Sequence, residues 1–460
     1  MARSKNPAKK PETLVPWTVA VKNFGKIEQA SVTPAPLTLL IGDNNSGKSY
    51  LMTLLYGLWT VNFWNDRYIF YENSSVYQDC ISLSRQIWES CKKESEAECI
   101  IQGKRLQAFQ ELLNELLAQN KEKLLKKLFN RKTSIEELRI TFPADAVFDF
   151  HFSIRENAHG KKVYQVTGHH TRWATLVEND AKSLGPLWQL TRMLQGMLQW
   201  DTMQPVYFPT ARTGFLLTYK DLTRNALQER FSLEETAKNL LTKPNTDFLT
   251  ALSSIQAETQ LDRCPEIAAF MEKHLICGQI HVSDELVPAI EYLPDGSSSH
   301  LPMYVSSGVV TETVPLLLFL RHYPFLDALL IEEPEISLHP QLQWEMARVL
   351  IRLTNRGIPV VVSTHSDIIL QHINNMIKAD GIQKKNCFLE QTGYEAADLL
   401  SKNKAAVYQF DGQSGGRTQL NRLPCGDDGF EALTFYQTLK NINKQIDWIE
   451  NERTDQNEES

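Results

Sequence analysis

The spacing of hydrophobic residues changes along the chain and predicts both strands and helices. Residues 17–21 alternate between apolar and polar side chains, and residues 37–41 form an apolar run that does not alternate, so we predict two strands, the second buried on both faces. A helical pattern at 50–59 follows directly. Beyond residue 280, apolar runs alternate with helical patterns through short connections, which predicts a parallel sheet with helices on its faces.

In the middle of the chain, the hydrophobic residues recur at other spacings. Leucines at three- and four-residue spacings over 107–129 predict an amphipathic helix, and helical patterns recur at 184–200 and 216–277. Three short segments alternate and are rich in aromatic and β-branched residues, at 137–142, 147–154 and 161–167. We therefore predict an antiparallel sheet with one solvated face between the helical segments.

Composition narrows the class of protein. The 460 residues are 42% hydrophobic and 22% charged, as in soluble globular chains with two or three packed units. Lys plus Arg number 48 and Asp plus Glu number 55, and the net charge of −7 excludes a protein that holds nucleic acid by bulk positive charge. A local basic cluster remains, either as a plain solvated helix face or as a nucleic-acid or partner surface, and it comprises Lys121, Lys123, Lys126, Lys127, Arg131 and Lys132.

The cysteines and the lengths of the apolar runs indicate the cellular compartment of the protein. The seven cysteines form no C-x-x-C pair and no regular framework, so we expect reduced, buried thiols. Neither a run of about 18 uncharged apolar residues nor a signal-peptide core is present, so we expect a cytoplasmic protein without membrane contact. The polar, acidic segment 450–460 predicts a disordered tail.

The segment GDNNSGKS at 42–49 fits the phosphate-binding pattern G-x-x-x-x-G-K-[ST] at every fixed position. It follows a predicted buried strand and opens a predicted helix, as this loop requires. Its glycines let backbone N–H groups turn toward phosphate oxygens, Lys48 reaches the β and γ phosphates, and Ser49 offers its hydroxyl to Mg²⁺. With ATP and Mg²⁺ as cofactors, the predicted ATP-binding residues are Gly42, Asn44, Asn45, Ser46, Gly47, Lys48 and Ser49.

Two later strands end in polar residues suited to hydrolysis. Glu332 and Glu333 close the predicted strand LLIEE, where one carboxylate can order hydrated Mg²⁺ and another can orient and deprotonate a water molecule. We assign Glu332 to the metal and Glu333 to the water. The strand VVVSTHS brings His365 to its end, where an imidazole can hydrogen-bond a γ phosphate.

A third polar turn lies upstream of these strands. Ser306, Ser307 and Gly308 precede the predicted helix at 309–320. Their hydroxyls, their free N–H groups and the positive end of that helix suit an anionic phosphate, although the turn alone would simply be a helix cap.

These motifs in this order resemble those of ABC-type ATPase heads of the RecF, SMC and OLD families, especially the OLD-like branch. The matching segments are GDNNSGKS, VSSG, LLIEEPE, ISLHPQLQ and STHS. The resemblance implies an α/β fold class: a P-loop ABC-type ATPase head whose mixed sheet has helices on both faces, with an antiparallel lobe and helical insertions. The chain departs from the family pattern in having Glu332 for the usual aspartate and Ser307 for the first signature glycine.

The same resemblance implies how the motifs act. Two heads face each other, and each ATP lies between Lys48 of one chain and Ser306 with Gly308 of the other. Glu333 is similar to the catalytic base, Glu332 to the magnesium-side acid and His365 to the switch histidine of these families.

The predicted organisation has six parts. They are an N-terminal ATPase lobe at 1–60, a helical insertion at 61–135, an antiparallel part of the ATPase lobe at 136–204, a second helical insertion at 205–279, a C-terminal ATPase lobe at 280–449 and the tail at 450–460. The segment PVYFPTARTG at 205–214 resembles the P-x-x-R-x-G segment of small OLD-like ATPases. For Arg212 a nucleotide contact and a structural salt bridge remain equally open.

OLD-type nucleases carry a TOPRIM domain after the ATPase. Too few residues follow His365 for such a domain, and Asp427-Asp428 does not form its D-x-D pair, so we expect an ATPase without intrinsic nuclease activity. The layout resembles ATPase subunits of PARIS-type anti-phage systems, which act with a separate TOPRIM nuclease. Septu-type systems, with an HNH nuclease, have similar motifs.

The resemblance therefore implies an ATPase scaffold and sensor that holds and releases a separate effector nuclease. Its expected partners are copies of itself, as head-to-head dimers or a larger ring or cage, the TOPRIM nuclease and a phage-encoded trigger protein. Two alternatives stay open: a RecF- or SMC-like DNA-end or DNA-repair ATPase that uses the basic cluster, and a transporter head with a membrane partner.

Overall fold

The computed structural model describes residues 16–61, 74–157, 159–168, 171–198, 204–229, 241–257, 261, 263–283, 288–413, 415–432 and 441–449, with the backbone alone at 171–184 and 223–229. The strands are β1 (Thr18–Phe24), β2 (Ile27–Val32), β3 (Leu37–Gly42), β4 (Glu96–Ile101), β5 (Glu137–Thr141), β6 (Phe148–Glu156), β7 (Lys162–Gly168), β8 (Thr171–Val177), β9 (Pro205–Phe208), β10 (Gly278–Val282), β11 (Ile290–Pro294), β12 (Leu301–Pro302), β13 (Ala328–Glu332), β14 (Val360–Thr364), β15 (Ala405–Gly412), β16 (Thr418–Arg422), β17 (Cys425–Gly426) and β18 (Gly429–Phe430).

The α-helices are α1 (Lys48–Thr60), α2 (Ser75–Glu94), α3 (Gly103–Phe129), α4 (Glu178–Met197), α5 (Arg212–Glu229), α6 (Lys243–Ser253), α7 (Pro265–Met271), α8 (Gly308–His322), α9 (Pro340–Asn355), α10 (Asp367–Gly381) and α11 (Lys385–Thr392). A π-helical turn spans Glu272–Ile276, and 3-10 turns span Met303–Val305, Ala396–Asp398 and Lys402–Lys404.

A nine-stranded mixed sheet forms the centre of the fold, in the order β5-β1-β2-β16-β15-β3-β14-β13-β9. Strands β15, β3, β14, β13 and β9 are parallel to one another, whereas β15 pairs antiparallel with β16, and β1 pairs antiparallel with both β2 and β5. The α/β fold class predicted from the sequence, a P-loop ATPase head with a mixed sheet, is confirmed.

Both faces of the parallel half of the sheet are buried. Along β3, Leu40 belongs to one hydrophobic core, while Leu37, Leu39 and Ile41 belong to the other. The first core also contains α1 and α3, and the second contains α8, α9 and α10. The lack of alternation at 37–41 follows from this, because a strand covered on both faces has no solvent side.

The three predicted antiparallel strands divide between two sheets. β6 and β7 pair with each other in a four-stranded sheet of order β4-β6-β7-β8, as predicted. β5, however, pairs with β1 and buries Leu138 and Ile140 in the first core. Alternation identifies a strand and its buried face but not its partner, which explains the wrong grouping. β4 also lies inside the segment predicted to be wholly helical.

The predicted amphipathic helix forms as α3, with its leucines buried, and it covers α1. Gly57 of α1 lies where the two helices meet, because a Cβ placed there would lie 2.3 Å from Cδ1 of the fully buried Leu128. A glycine at this point lets α3 approach the helix that follows the phosphate-binding loop.

The cysteine prediction is correct in part. All seven cysteines are free thiols, and Cys80, Cys91, Cys99 and Cys264 are buried. Cys277 and Cys387 are exposed and Cys425 is half-buried, contrary to the prediction that every cysteine is buried. The predicted acidic tail at 450–460 lies outside the described residues. Within the described residues, none of the helices has the length and apolar character needed to cross a membrane.

We predict that Gly57→Ala and Leu128→Ala are each destabilising but partly compensate one another. The added methyl group overpacks the α1–α3 contact at a cost of about 1–3 kcal/mol, and the leucine truncation leaves a cavity that costs about 2–5 kcal/mol. The double variant should recover at least about 1 kcal/mol relative to the sum of the two, because the methyl group then enters the cavity. Chemical denaturation of the wild type, the two single variants and the double variant measures these free energies of unfolding. Strictly additive losses would contradict the contact between Gly57 and Leu128.

Candidate functional site

The carboxyl ends of four neighbouring parallel strands deliver the predicted motifs to one edge of the sheet. β14 lies between β3 and β13, with Thr364 opposite Ile41 and Ser363 opposite Glu332. β9 borders β13 on the other side, with Phe208 opposite Ile331. Segments that are distant in sequence therefore meet at this edge.

The phosphate-binding loop turns sharply between β3 and α1. Gly42 has a φ of 139° and Gly47 a φ of 107°, and a Cβ at Gly42 would lie 2.8 Å from the carbonyl oxygen of Phe410. Only glycine suits both the backbone angles and this close approach. From β16, the Thr418 hydroxyl donates to the carbonyl oxygen of Ser46 at 2.7 Å and fixes the far side of the loop. The cradle of this loop fits a phosphate group.

Lys48 is folded into its own loop. Its Nζ donates to the carbonyl oxygens of Gly42 at 3.0 Å and Asp43 at 2.7 Å, and it lies 3.3 Å from Ser46 Oγ. Burial lowers the pKa of Lys48 to about 8, against the opposite effect of nearby carboxylates, foremost that of Glu333. A phosphate group in the loop can replace these carbonyl acceptors and favour the charged ammonium form of Lys48.

Both carboxylate oxygens of Glu332 are engaged by the segment after β9. Oε1 accepts from the Tyr207 hydroxyl at 2.8 Å, and Oε2 accepts from the N–H and hydroxyl of Thr210, both at 3.0 Å. Oε1 retains a lone pair, so the buried carboxylate can accept a hydrogen bond from a water molecule. These contacts fit a magnesium site in which Glu332 holds a metal-bound water.

Glu333 and His365 face each other across the ends of β13 and β14. Glu333 Oε1 lies 3.7 Å from His365 Nε2, and both side chains are 29% exposed. Burial and the neighbouring Glu332 carboxylate raise the pKa of Glu333, while burial and Lys48 lower the pKa of His365. The arrangement is a partly accessible acid–base pair beside the phosphate-binding loop.

A third carboxylate, Glu335, lies behind this pair and carried no role in the sequence-based predictions. Its Oε1 accepts from the backbone N–H of His365 at 2.6 Å, and its Oε2 is buried with no hydrogen-bond partner among the described residues. Burial raises its pKa. In the sequence, Glu335 is visible as the third acidic residue of LLIEEPE, but only the fold shows its contact with His365.

The segment ISLHPQLQ connects to the histidine loop. The Ser366 hydroxyl donates to Gln343 Oε1 at 2.6 Å and accepts from the backbone N–H of Ile369, which caps α10. Gln343 Nε2 in turn donates to the carbonyl oxygen of Leu338. The loop after His365 is therefore tied to the loop after Glu333 through Gln343, in addition to the hydrogen bond between His365 and Glu335.

Arg212 is buried and ion-paired with Glu312, which supports the structural alternative of the two left open by the sequence. Its Nε lies 2.8 Å from Glu312 Oε2, Nη1 donates to the carbonyl oxygen of Glu332 at 2.7 Å, and Nη2 to that of Glu333 at 3.0 Å. The side chain is 1% exposed. The guanidinium faces backbone and Glu312 rather than an open nucleotide site.

The serine-rich turn lies apart from the phosphate-binding loop contacts. Ser307 caps α8, accepting from the N–H of Val310 at 3.4 Å, and Ser306 Oγ donates to the carbonyl oxygen of Pro302. Ser307 and Gly308 are exposed, as are the preceding Tyr304 and Val305. The described residues bring Glu332, Glu333 and His365 together with Lys48, whereas the serine-rich turn is exposed at the start of α8.

A family model described as "AAA ATPase domain" matches residues 18–169 and 214–370, which is more than half of the chain. The chain belongs to this AAA ATPase domain family. The match spans the phosphate-binding loop, both carboxylates and the histidine, so the ATPase prediction is confirmed at the level of the family. No curated protein sequence matches the chain.

Solved structures give weaker likenesses. The SMC head domain from Thermotoga maritima is 10% identical over 89% of this chain and 99% of its own, with a TM-score of 0.33. The SmcHead bound to the C-winged helix domain of ScpA is 13% identical over 89% and 97%, with a TM-score of 0.37. The Smc head with an extended coiled coil, bound to the C-terminal domain of ScpA from Pyrococcus furiosus, is 11% identical over 94% and 99%, with a TM-score of 0.34. TM-scores this low carry no functional conclusion.

We predict that nucleotide affinity falls as pH rises above the pKa of Lys48, which is about 8 without nucleotide. Phosphate groups favour the ammonium form and raise its pKa, so binding above pH 8 requires proton uptake and should weaken several-fold per pH unit. Phosphates are already ionised in this range and add no titration of their own. A fluorescent ATP analogue titrated between pH 7.5 and 9.5 measures the effect, and an unchanged Kd would show that Lys48 stays charged throughout.

Proposed function

We propose that the chain binds and hydrolyses ATP between paired heads. The observation that carries this proposal is the grouping of Lys48, Glu333 and His365 at one edge of the sheet, with Glu333 Oε1 3.7 Å from His365 Nε2. ATP supplies the phosphoanhydride bond, and Mg²⁺ neutralises charge on its phosphates. The proposed ligands of the Mg²⁺ site are the Ser49 hydroxyl and, through water, Glu332.

In this proposal Glu333 orients and deprotonates the attacking water. Its raised pKa makes it a stronger base than an exposed glutamate, and its accessible oxygen can reach a water molecule. His365, with a lowered pKa, is neutral near pH 7 and offers one N–H donor and one nitrogen acceptor. It can donate to a phosphate oxygen while its backbone is fixed by Glu335.

Pairing of heads is supported by the exposed serine-rich turn. Ser307 and Gly308 lie exposed at the start of α8, and Tyr304 is 78% exposed beside them. A second head that presents its bound nucleotide to this turn would supply the phosphate that Ser306, Ser307 and Gly308 suit. It would also cover the exposed aromatic and aliphatic side chains.

We predict that Glu333→Gln retains ATP binding, lowers turnover at least about a hundredfold and accumulates paired heads. The amide keeps the shape of the side chain but cannot accept a proton. Lys48→Ala should abolish nucleotide binding and therefore pairing. Phosphate release and light scattering with and without ATP measure both effects, and full turnover in Glu333→Gln would remove Glu333 as the base.

We further propose an OLD-like role in anti-phage defence, similar to that of the AriA subunit of the PARIS system. The chain would act as scaffold and sensor, holding an AriB-like TOPRIM nuclease and releasing it when a phage-encoded trigger is detected. Support comes from the motif set GDNNSGKS, VSSG, LLIEEPE and STHS in a chain where no nuclease motif was found. A Septu-type partnership with an HNH nuclease rests on the same motifs.

Co-purification from the native operon tests this role. A nuclease that is retained without trigger and released in its presence is the expected result, and Lys48→Ala should uncouple release from ATP. Isolation of the chain alone, without a nuclease in neighbouring genes, would contradict the effector role and leave the ATPase proposal intact.

A DNA-linked ATPase is the second candidate, favoured by one observation. Lys126, Lys127, Arg131 and Lys132 are exposed around the end of α3. If the chain has this function, DNA should stimulate ATP turnover. The stimulation should be sensitive to salt, because each contact with a DNA phosphate releases counterions. We expect Lys126→Glu with Lys127→Glu to abolish any such stimulation, and turnover that ignores added DNA would exclude this candidate.

A further inference from the structure

Arg212 joins two parts of the proposed ATPase site that belong to different elements. Its Nη1 and Nη2 donate to the carbonyl oxygens of Glu332 and Glu333, at 2.7 and 3.0 Å. On its other side, Nε lies 2.8 Å from the carboxylate of Glu312 and 3.3 Å from that residue's carbonyl oxygen. The planar guanidinium thus donates to these three backbone carbonyl oxygens in fixed directions and is ion-paired with the Glu312 carboxylate, an arrangement that a lysine cannot reproduce.

Glu312 lies on the helix that begins at the serine-rich turn. α8 starts at Gly308, so Glu312 follows one helical turn later and is itself buried. Hydrogen bonds from the Thr311 hydroxyl to the carbonyl oxygens of Ser307 and Gly308 tie this first turn together. A displacement of the turn therefore moves Glu312 with it.

The backbone at Glu333 is strained. Its φ of 42° lies in the left-handed region, which is unfavourable for a non-glycine residue. Its N–H donates to the carbonyl oxygen of Ser363 at 2.8 Å and its carbonyl oxygen accepts from Arg212. These two bonds fix the turn that directs the Glu333 carboxylate toward His365.

We propose that Arg212 and Glu312 are positioning residues that couple the serine-rich turn of one head to the catalytic glutamate of the same head. When the partner head's nucleotide contacts Ser306 to Gly308, the shift of α8 is transmitted through Glu312 and Arg212 to the carbonyl oxygens of Glu332 and Glu333. The Glu333 carboxylate, which already faces His365 in the single chain, is thereby brought into line with the attacking water only in paired heads. This inference rests on the proposed ATPase function between paired heads.

The test compares Glu312→Gln and Arg212→Lys with Arg352→Lys as a matched control. Arg352 is also a buried arginine paired with a carboxylate, since its Nε lies 2.7 Å from Asp398 Oδ1, but it contacts none of the residues named in the site. We expect all three variants to lose thermal stability to a similar degree. Turnover at saturating ATP should fall at least about tenfold in the two site variants and stay within about twofold in the control.

ATP-driven pairing separates a positioning role from a purely structural one, because a structural defect would reduce pairing together with turnover. The site variants should still bind ATP with a Kd within about threefold of the wild type, and should still pair, because the phosphate-binding loop and the serine-rich turn are unchanged. Loss of pairing in proportion to lost stability would overturn the proposal. If Arg212→Lys fails to fold, Glu312→Gln, which matches glutamate in size, carries the test.

A double-mutant cycle decides whether the two regions are coupled. Ser307→Ala combined with Glu312→Gln should lower turnover no more than the stronger single variant, because both substitutions interrupt the same coupling between the serine-rich turn and Glu333. Additive losses would overturn the inference while leaving the ATPase function intact. Failure of the proposed function itself is distinguishable, because then the wild type would show no ATP-dependent pairing or turnover.

Discussion

Parallel pairing of β3, β14, β13 and β9 is the constraint on which the site depends. Parallel strands place their carboxyl ends at one edge, so the loops after residues 42, 364, 332 and 208 converge without any requirement on their separation in sequence. Both faces of these strands are buried, which fixes their register and leaves this edge as the place where polar side chains reach solvent.

Gathering several charges at one edge carries an electrostatic cost, which the fold offsets with specific partners. Lys48 uses loop carbonyl oxygens, Glu332 uses Tyr207 and Thr210, and Arg212 uses Glu312 and two backbone carbonyls. Lys48, Glu332 and Arg212 thus each have hydrogen-bonded partners, which offset part of the cost of burying a charge. One buried oxygen of Glu335 lacks a hydrogen-bond partner among the described residues, and burial raises the pKa of this carboxyl group.

Much of the site could be predicted because its chemistry depends on local sequence. A phosphate-binding loop requires glycines at fixed spacing, and LLIEE and VVVSTHS combine an apolar strand with polar residues at its end. The structure brings Lys48, Glu333 and His365 together as those patterns predicted. The acceptor role of Glu335, the partner of Arg212 and the anchor supplied by Thr418 could not be predicted, because each is a contact between residues far apart in the chain.

The sequence by itself determined the fold class, the strand-loop-helix setting of the phosphate-binding loop and the buried faces of most strands, because periodicity and glycine placement are local properties. Only the tertiary structure decided that β5 joins β1 rather than β6, that Arg212 is buried and paired with Glu312, and that three cysteines lie outside the core. The physical reason is the same in each case. Period two specifies which side chains are buried, whereas the choice of strand partner, ion-pair partner and solvent exposure depends on how distant segments pack.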